Sequence, residues 1–338
     1  RGANDDKGQT FMHVKAFEYL VRNGLLKHNV KFIFEGEEEV GSKHLPAWVE
    51  ANKERLACDV ILVSDTTMIS DKVPSINCGM RGVTYLQVNV KGPDKDLHSG
   101  HYGGAVANPI NTLCEMIATL IDKDGRVTIP GFYDDVAVVS DADRQELARA
   151  PFDMEEYKES IGIQEVKGEK GFTTLERTAI RPCLDVCGIW GGYTGAGSKT
   201  VLPSEAHAKI SMRIVPNQKA DKILDMAAKH ILAIAPPYAS VTVEKMEAGN
   251  GFLIPITSSA YKAASRAMAE VYGIEPVPSR GGGSICVLAD MRNILGADPL
   301  LMGFGLERDT IHSPNESYLL RQFYAGIESI ALFYKYWE

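Results

Sequence analysis

Four carboxylates and two histidines are the side chains of this sequence whose types and placement suit chemistry. Asp5 opens a predicted helix, Glu38 and Glu39 sit in the turn Glu35-Gly36-Glu37-Glu38-Glu39-Val40-Gly41-Ser42, and Asp65 follows the apolar run ending at Val63. In an open α/β sheet, ligands bind beyond the carboxyl ends of the strands. Two predicted strand ends, at Phe34 and Val63, run straight into these acids. Carboxylates that converge on one crevice repel each other unless a cation joins them. Taken alone, the triplet Glu37-Glu38-Glu39 also fits a solvated charged turn. His312 lies between an apolar strand and the last helix, at a third strand end. Imidazole with carboxylates suits zinc or manganese better than calcium. His98 and His101 fall within the glycine-rich loop Asp96-Leu97-His98-Ser99-Gly100-His101-Tyr102-Gly103-Gly104, a candidate lid.

The elements that must position these residues read as follows. Residues 7–23 have Phe11, Val14, Phe17, Leu20 and Val21 at helical spacing, Asn4 or Asp5 placed to cap, and Gly24 where a helix-ending glycine belongs. Residues 31–34 and 60–63 are near-continuous apolar runs alternating with helices, which predicts parallel strands buried on both faces. From about residue 80 the pattern changes. Residues 83–90 and 207–215 alternate apolar with polar, as strands with one wet face do. Helices are predicted over 105–122 and 220–235, a further strand over 241–245, and residues 123–180 are polar and weakly periodic. After about residue 250 the α/β character returns, with helices over 258–272 and 315–336 and a strand over 300–304. The layout is discontinuous: segments 1–80 and 250–338 form one domain, and 81–249 is an inserted α+β domain.

Length and composition narrow the function classes. The chain has 338 residues, which makes two domains the prior. It is 45% hydrophobic and 24% charged, values at which a core can be buried without staples. The formal charge of −8 argues against nucleic acid as a partner, because neutralising phosphates needs a basic surface. No apolar run approaches a membrane span. Six scattered cysteines form no CxxC pair, which reads as a reducing, cytoplasmic setting. Two near-matches to other motifs fail. In Gly192-Tyr193-Thr194-Gly195-Ala196-Gly197-Ser198-Lys199-Thr200, Ser198 intrudes before the lysine and no helix follows, so it is no phosphate loop. Gly281-Gly282-Gly283-Ser284 is no nucleophile elbow.

Seven segments in order resemble the dinuclear-zinc metallopeptidase superfamily, in particular its cytosolic nonspecific dipeptidase and carnosinase group. They are Arg1-Gly2-Ala3-Asn4-Asp5-Asp6-Lys7-Gly8, the acidic turn, Val63-Ser64-Asp65, Asp96-Leu97-His98-Ser99-Gly100, Arg213-Ile214-Val215-Pro216-Asn217, Gly282-Gly283-Ser284-Ile285 and His312-Ser313-Pro314-Asn315-Glu316. The resemblance implies an α/β catalytic domain with an inserted α+β lid and dimerisation domain, and two divalent ions, zinc or alternatively manganese. Asp5 would bridge the ions, Glu39 and His312 would complete one shell, and Asp65 would bind the other. Glu38 would be the general base and His98 would polarise the scissile carbonyl, in this family often in the partner subunit's site. Arg213, helped by Thr200 and Ser284, would hold the substrate's carboxylate. The implied activity is exopeptidase cleavage of dipeptides or short peptides by a homodimer joined through the inserted domain. Alternatives are an N-acyl-amino-acid amidohydrolase and a non-catalytic peptide-binding scaffold. The family's upstream His-x-Asp motif is not in this sequence, which implies weak or single-site metal binding and an inactive chain as given.

Overall fold

The computed structural model describes residues 2–338. Its strands are β1 (Ile61–Val63), β2 (Ser75–Met80), β3 (Gly82–Lys91), β4 (Leu97–His98), β5 (Cys183–Gly191), β6 (Val201–Leu202), β7 (Glu205–Ile214), β8 (Ser240–Gly249), β9 (Phe252–Leu253), β10 (Val277–Gly281) and β11 (Pro299–Leu301). Among the described residues they form three sheets. One has the order β1-β11-β2-β10 with β9 against β2, a second has the order β5-β7-β3-β8, and β4 pairs with β6.

The first sheet is mixed. β1 runs parallel to β11, as the apolar run over 60–63 predicts; β2 runs parallel to β10, two strands that the sequence pattern does not reveal, and β11 and β9 meet β2 antiparallel. Its core gathers Ile76, Met80, Leu300, Leu301 and Phe304 with side chains from the helices Lys7–Arg22, Ser259–Tyr272, Cys286–Leu295 and Leu320–Tyr336. Burying one such large apolar side chain contributes about 1.5–3 kcal/mol. The first and last helices approach so closely that a Cβ at Gly326 would collide with the Met12 side chain. The glycine there is a packing requirement.

The second sheet is antiparallel throughout. Alternate residues Leu86, Val88 and Val90 of β3 face a second core with Ile210 and Met212, covered by the helices Pro109–Ala118 and Ala220–Ala233. The first of these starts with Pro109 and is capped by Asn108, whose side chain accepts from the Ile110 N–H. The chain passes between the two sheets at Arg81 and again at Asn250–Gly251. Gly82 and Gly251 pack backbone to backbone at this crossing, where a Cβ on either would overlap the other strand.

Several expectations are corrected. The first helix spans Lys7–Arg22, but its N-cap is Asp6, which makes no side-chain cap bond. It buries Gln9, Met12, Ala16 and Leu20, while Phe11, Val14 and Val21 stay exposed. Residues 31–34 form no strand, because no strand among the described residues lies beside them, and Phe32, Ile33 and Phe34 are exposed. The helix expected over 105–122 is the shorter Pro109–Ala118, and the last helix starts at Leu320, which leaves His312 in a loop. β3 is interior to its sheet, whose open edges among the described residues are β5 and β8.

Candidate metal centre

β1 and β11 are parallel neighbours, and the chain beyond both stays paired. The Met302 N–H donates to the Val63 carbonyl, the Met68 N–H donates to the Gly305 carbonyl, and Thr67 bridges Gly305. The segments leading to Asp65 and His312 therefore leave the same sheet edge side by side. The first helix is fixed against that edge by Gln9, a buried side chain whose Oε1 accepts from the Phe304 N–H at 2.7 Å. This brings Asp5, which precedes that helix, to the strand ends.

The acidic turn is a single 3-10 turn, Glu38–Val40, ended by Gly41 at φ +92°. It separates the three glutamates. Glu37 pairs with His44 at 2.8 Å on the surface, and that contact holds its carboxyl below the usual range. Glu38 is half-buried and faces inward; burial, then the nearby Asp65 carboxylate, push it up to about 7. Glu39 reaches His312, its Oε2 lying 3.1 Å from Nε2. Glu37 thus fits a solvated turn with a surface partner, while Glu38 and Glu39 turn to the other acids and His312.

Asp5, Glu39 and His312 offer ligand atoms that lie within 4.8 Å of one another. His312 Nε2 is 2.8 Å from Asp5 Oδ2. In a tetrahedral shell with bonds near 2.0–2.1 Å, ligand atoms stand about 3.3 Å apart, close to the two separations seen here. Asp65 stands beside Asp5; burial, then the Asp5 carboxylate, push it up to about 6. Asp6, which the sequence reading passed over, is pushed up to about 8 by burial and then by Asp65. The Asp5-Asp6 doublet with Thr10 one turn on was its signal, and Thr10 Oγ1 donates to Asp6 Oδ2 at 2.9 Å. His13, half-buried, contacts Ser64 Oγ through Nε2 at 2.8 Å, and burial holds it down at about 4.

These residues fit divalent cations. Asp5, Asp6, Glu38, Glu39 and Asp65 are set around one imidazole, an imbalance that protonation or a cation must relieve. Asp6 Oδ1 is buried with no hydrogen-bond partner. Asp5, Glu39 and His312 would hold one ion, and Asp5 and Asp65 a second.

In the cation-free protein, stability is expected to fall as pH rises from about 4 to about 8. The folded pKa values of Asp65, Glu38 and Asp6 lie above ordinary carboxylate values. The folded state therefore keeps protons that the unfolded chain has released, and stability complete below about 4 is lost by about 8. Melting in EDTA should show this decline, and Mn2+ should raise the Tm more at pH 8 than at pH 5. A flat profile in EDTA would contradict it.

The remaining candidates form two pairs of their own. His98 and Thr200 meet across β4 and β6, with Thr200 Oγ1 3.3 Å from His98 Nε2. His98 Nδ1 accepts from the Gly100 N–H, so in the neutral ring Nε2 carries the proton. Both residues are exposed. Arg213 on β7 donates to Ser284 Oγ at 2.9 Å, and Ser284 donates to the Arg81 carbonyl at 2.6 Å. Among the described residues, no hydrogen bond or ion pair of these four reaches the acidic cluster.

The profile of Peptidase family M20/M25/M40 matches residues 1–336. The chain belongs to this family. As an M20 member it is a metallopeptidase hydrolase, and the resemblance read from the seven motifs is borne out. It is 32% identical over 334 residues to the Cys-Gly metallodipeptidase dug1 of Schizosaccharomyces pombe, covering 97% of this chain and 70% of that protein. It is 32% identical over 342 residues to the Beta-Ala-His dipeptidase of Homo sapiens, covering 99% of this chain and 67% of that one. Among solved structures, the M20 family metallo-carboxypeptidase Sso-CP2 from Sulfolobus solfataricus superposes with a TM-score of 0.90 at 31% identity, covering 100% of this chain and 77% of that one. The expected α/β fold class is thus the M20 architecture. No helix among the described residues is long and apolar enough to cross a membrane.

Proposed function

We propose that this M20 chain hydrolyses dipeptides or short peptides from an end, with the acidic cluster as its metal centre. The observation that carries the reading is the meeting of Asp5, Glu39 and His312, drawn from three distant segments, beside Asp65 and Glu38. Two divalent ions, zinc or alternatively manganese, would supply charge that brings the pKa of a water toward about 7. Glu38 takes the proton from the attacking water and passes it to the leaving amine. Its pKa of about 7 in the cation-free cluster lies where a general base works at neutral pH. His98 donates from Nε2 to the carbonyl oxygen. Arg213, Thr200 and Ser284 hold the free carboxylate of the substrate, because a guanidinium fork matches it in two hydrogen bonds.

The catalytic unit comprises 1–80 and 250–338, and 81–249 is the lid through which two copies pair. Pairing is supported by the exposure of His98 and Thr200, which make no hydrogen bond to the acidic cluster of their own chain and so suit a contribution to the partner's site. It is supported too by open strand β5, with Val186, Ile189 and Trp190 exposed. The six cysteines stand free, in keeping with a cytoplasmic setting. Among the described residues the second ion's position has only Asp5 and Asp65 as side-chain ligands. One tightly held ion and one weakly held ion per chain are therefore expected.

A substrate panel on the intact gene product, loaded with cation, tests the reading. Dipeptides should be cleaved with kcat/KM at least about tenfold above N-acetyl- and N-succinyl-amino acids, the discrimination a hydrogen-bonded site achieves easily. Preference for the acylated substrates would make it a deacylase, and peptide binding without turnover would make it a binding scaffold.

A further inference from the structure

Glu316 lies four residues after His312, and its carboxylate crosses to the other end of the chain. Oε1 accepts from the backbone N–H groups of Asn4 and Asp5, both at 2.9 Å, and Oε2 accepts from the Gly2 N–H at 3.1 Å. Hydrogen bonds to an ionised acceptor are the strong kind. The same two segments are joined again by Asn4 Nδ2, which donates to Asp309 Oδ2 at 2.8 Å, an oxygen that also accepts from the Leu306 N–H. Asn4 and Asp309 are both buried. Between these anchors the loop holds Thr310, His312 and Asn315 at φ +52°, +59° and +63°, left-handed conformations that suit glycine. Such conformations persist only where the surroundings over-determine them. Here they aim the His312 ring at Asp5 and Glu39.

We propose that Glu316 is a positioning residue of the metal centre, setting Asp5 against His312 without itself touching a cation. This rests on the metal-centre reading above. The chemistry is specific to a carboxylate: three N–H donors need acceptors only, and both oxygens supply them. Glutamine keeps one acceptor for Asn4 and Asp5 but turns an NH2 donor toward the Gly2 N–H. Alanine removes these three bonds and leaves the Asn4–Asp309 hydrogen bond and the direct His312–Asp5 contact to hold the two segments together.

The test uses Co2+ alone as the probe, titrated into the metal-freed intact gene product and followed by its visible absorption band. Glu316→Gln should weaken Co2+ binding about tenfold and Glu316→Ala up to about a hundredfold, the range for residues that orient metal ligands. Both should alter the band shape, which a loss of global stability would leave unchanged. Folded variants with wild-type affinity and spectrum would overturn the proposal, as would a lowered Tm with the band intact. If Glu316→Ala does not fold, Glu316→Gln decides. Absence of a Co2+ band in the wild-type protein would instead overturn the metal-centre reading itself.

Discussion

Replacing His312 by alanine is expected to weaken zinc binding on the order of a hundred- to a thousandfold. A four-ligand structural zinc site is worth about 10–16 kcal/mol, or about 2.5–4 kcal/mol per ligand. Each 1.4 kcal/mol is tenfold in affinity, so losing one ligand costs two to three orders of magnitude. His312 supplies the imidazole nitrogen of the shell, and its loss leaves Asp5 and Glu39 facing each other with nothing between them. Their repulsion in the cation-free state rises while the tightest shell loses its nitrogen. The fold should survive, because the His312 side chain is exposed and its contacts are with Asp5 and Glu39 only at the site. Isothermal titration of zinc into wild type and His312→Ala checks this, with circular dichroism as the folding control. Unchanged affinity in a folded variant would remove His312 from the site.

Glu38→Gln is expected to reduce dipeptide turnover by about 10²–10⁴ in the cation-loaded intact gene product, the contribution of a positioned general base. The amide has the same shape and cannot accept the proton. Its second effect has the opposite sign. Glu38 is half-buried against Asp65, Glu39 and Asp5, which burial and repulsion together disfavour as a carboxylate. A neutral amide removes that repulsion, so the cation-free variant should melt higher than wild type at pH 8, where the wild-type group is ionised. The two readouts separate base from ligand. Lost turnover with zinc affinity within about threefold of wild type identifies a base, whereas a large loss of affinity identifies a ligand. Turnover within tenfold of wild type would exclude Glu38 from proton transfer.

The parts of the site that rest on sheet geometry were legible in the sequence. Asp65 and His312 follow apolar runs that became the parallel neighbours β1 and β11, and strand ends that lie together bring their following residues together. The division of labour within Glu37-Glu38-Glu39 was not legible. Consecutive side chains on a 3-10 turn point about 120° apart. Three identical letters thus take a surface histidine, an inward acid pair and His312 as separate surroundings. Asp6 was missed for a related reason, since sequence alone does not say which carboxylate of a doublet is driven inward.

The misread elements failed where a neighbour decides. The first helix carries two apolar stripes, one through Phe11, Val14 and Val21 and one through Met12, Ala16 and Leu20. Which stripe is buried depends on the last helix, whose Gly326 admits the Met12 side chain. Residues 31–34 have strand composition, but a strand exists only with a partner. The alternation over 83–90 reported one wet face correctly and carried no information on how many strands flank it. β3 has two, β7 and β8.

Zinc-edge anomalous diffraction from a crystal of this chain soaked in zinc reads the centre most directly. The strongest peak should lie between Asp5 Oδ2, Glu39 and His312 Nε2, within about 2.0–2.2 Å of each, with a weaker second peak or none beside Asp65. A peak elsewhere, or ordered His312, Asp5 and Glu39 side chains with no zinc among them, would contradict the account.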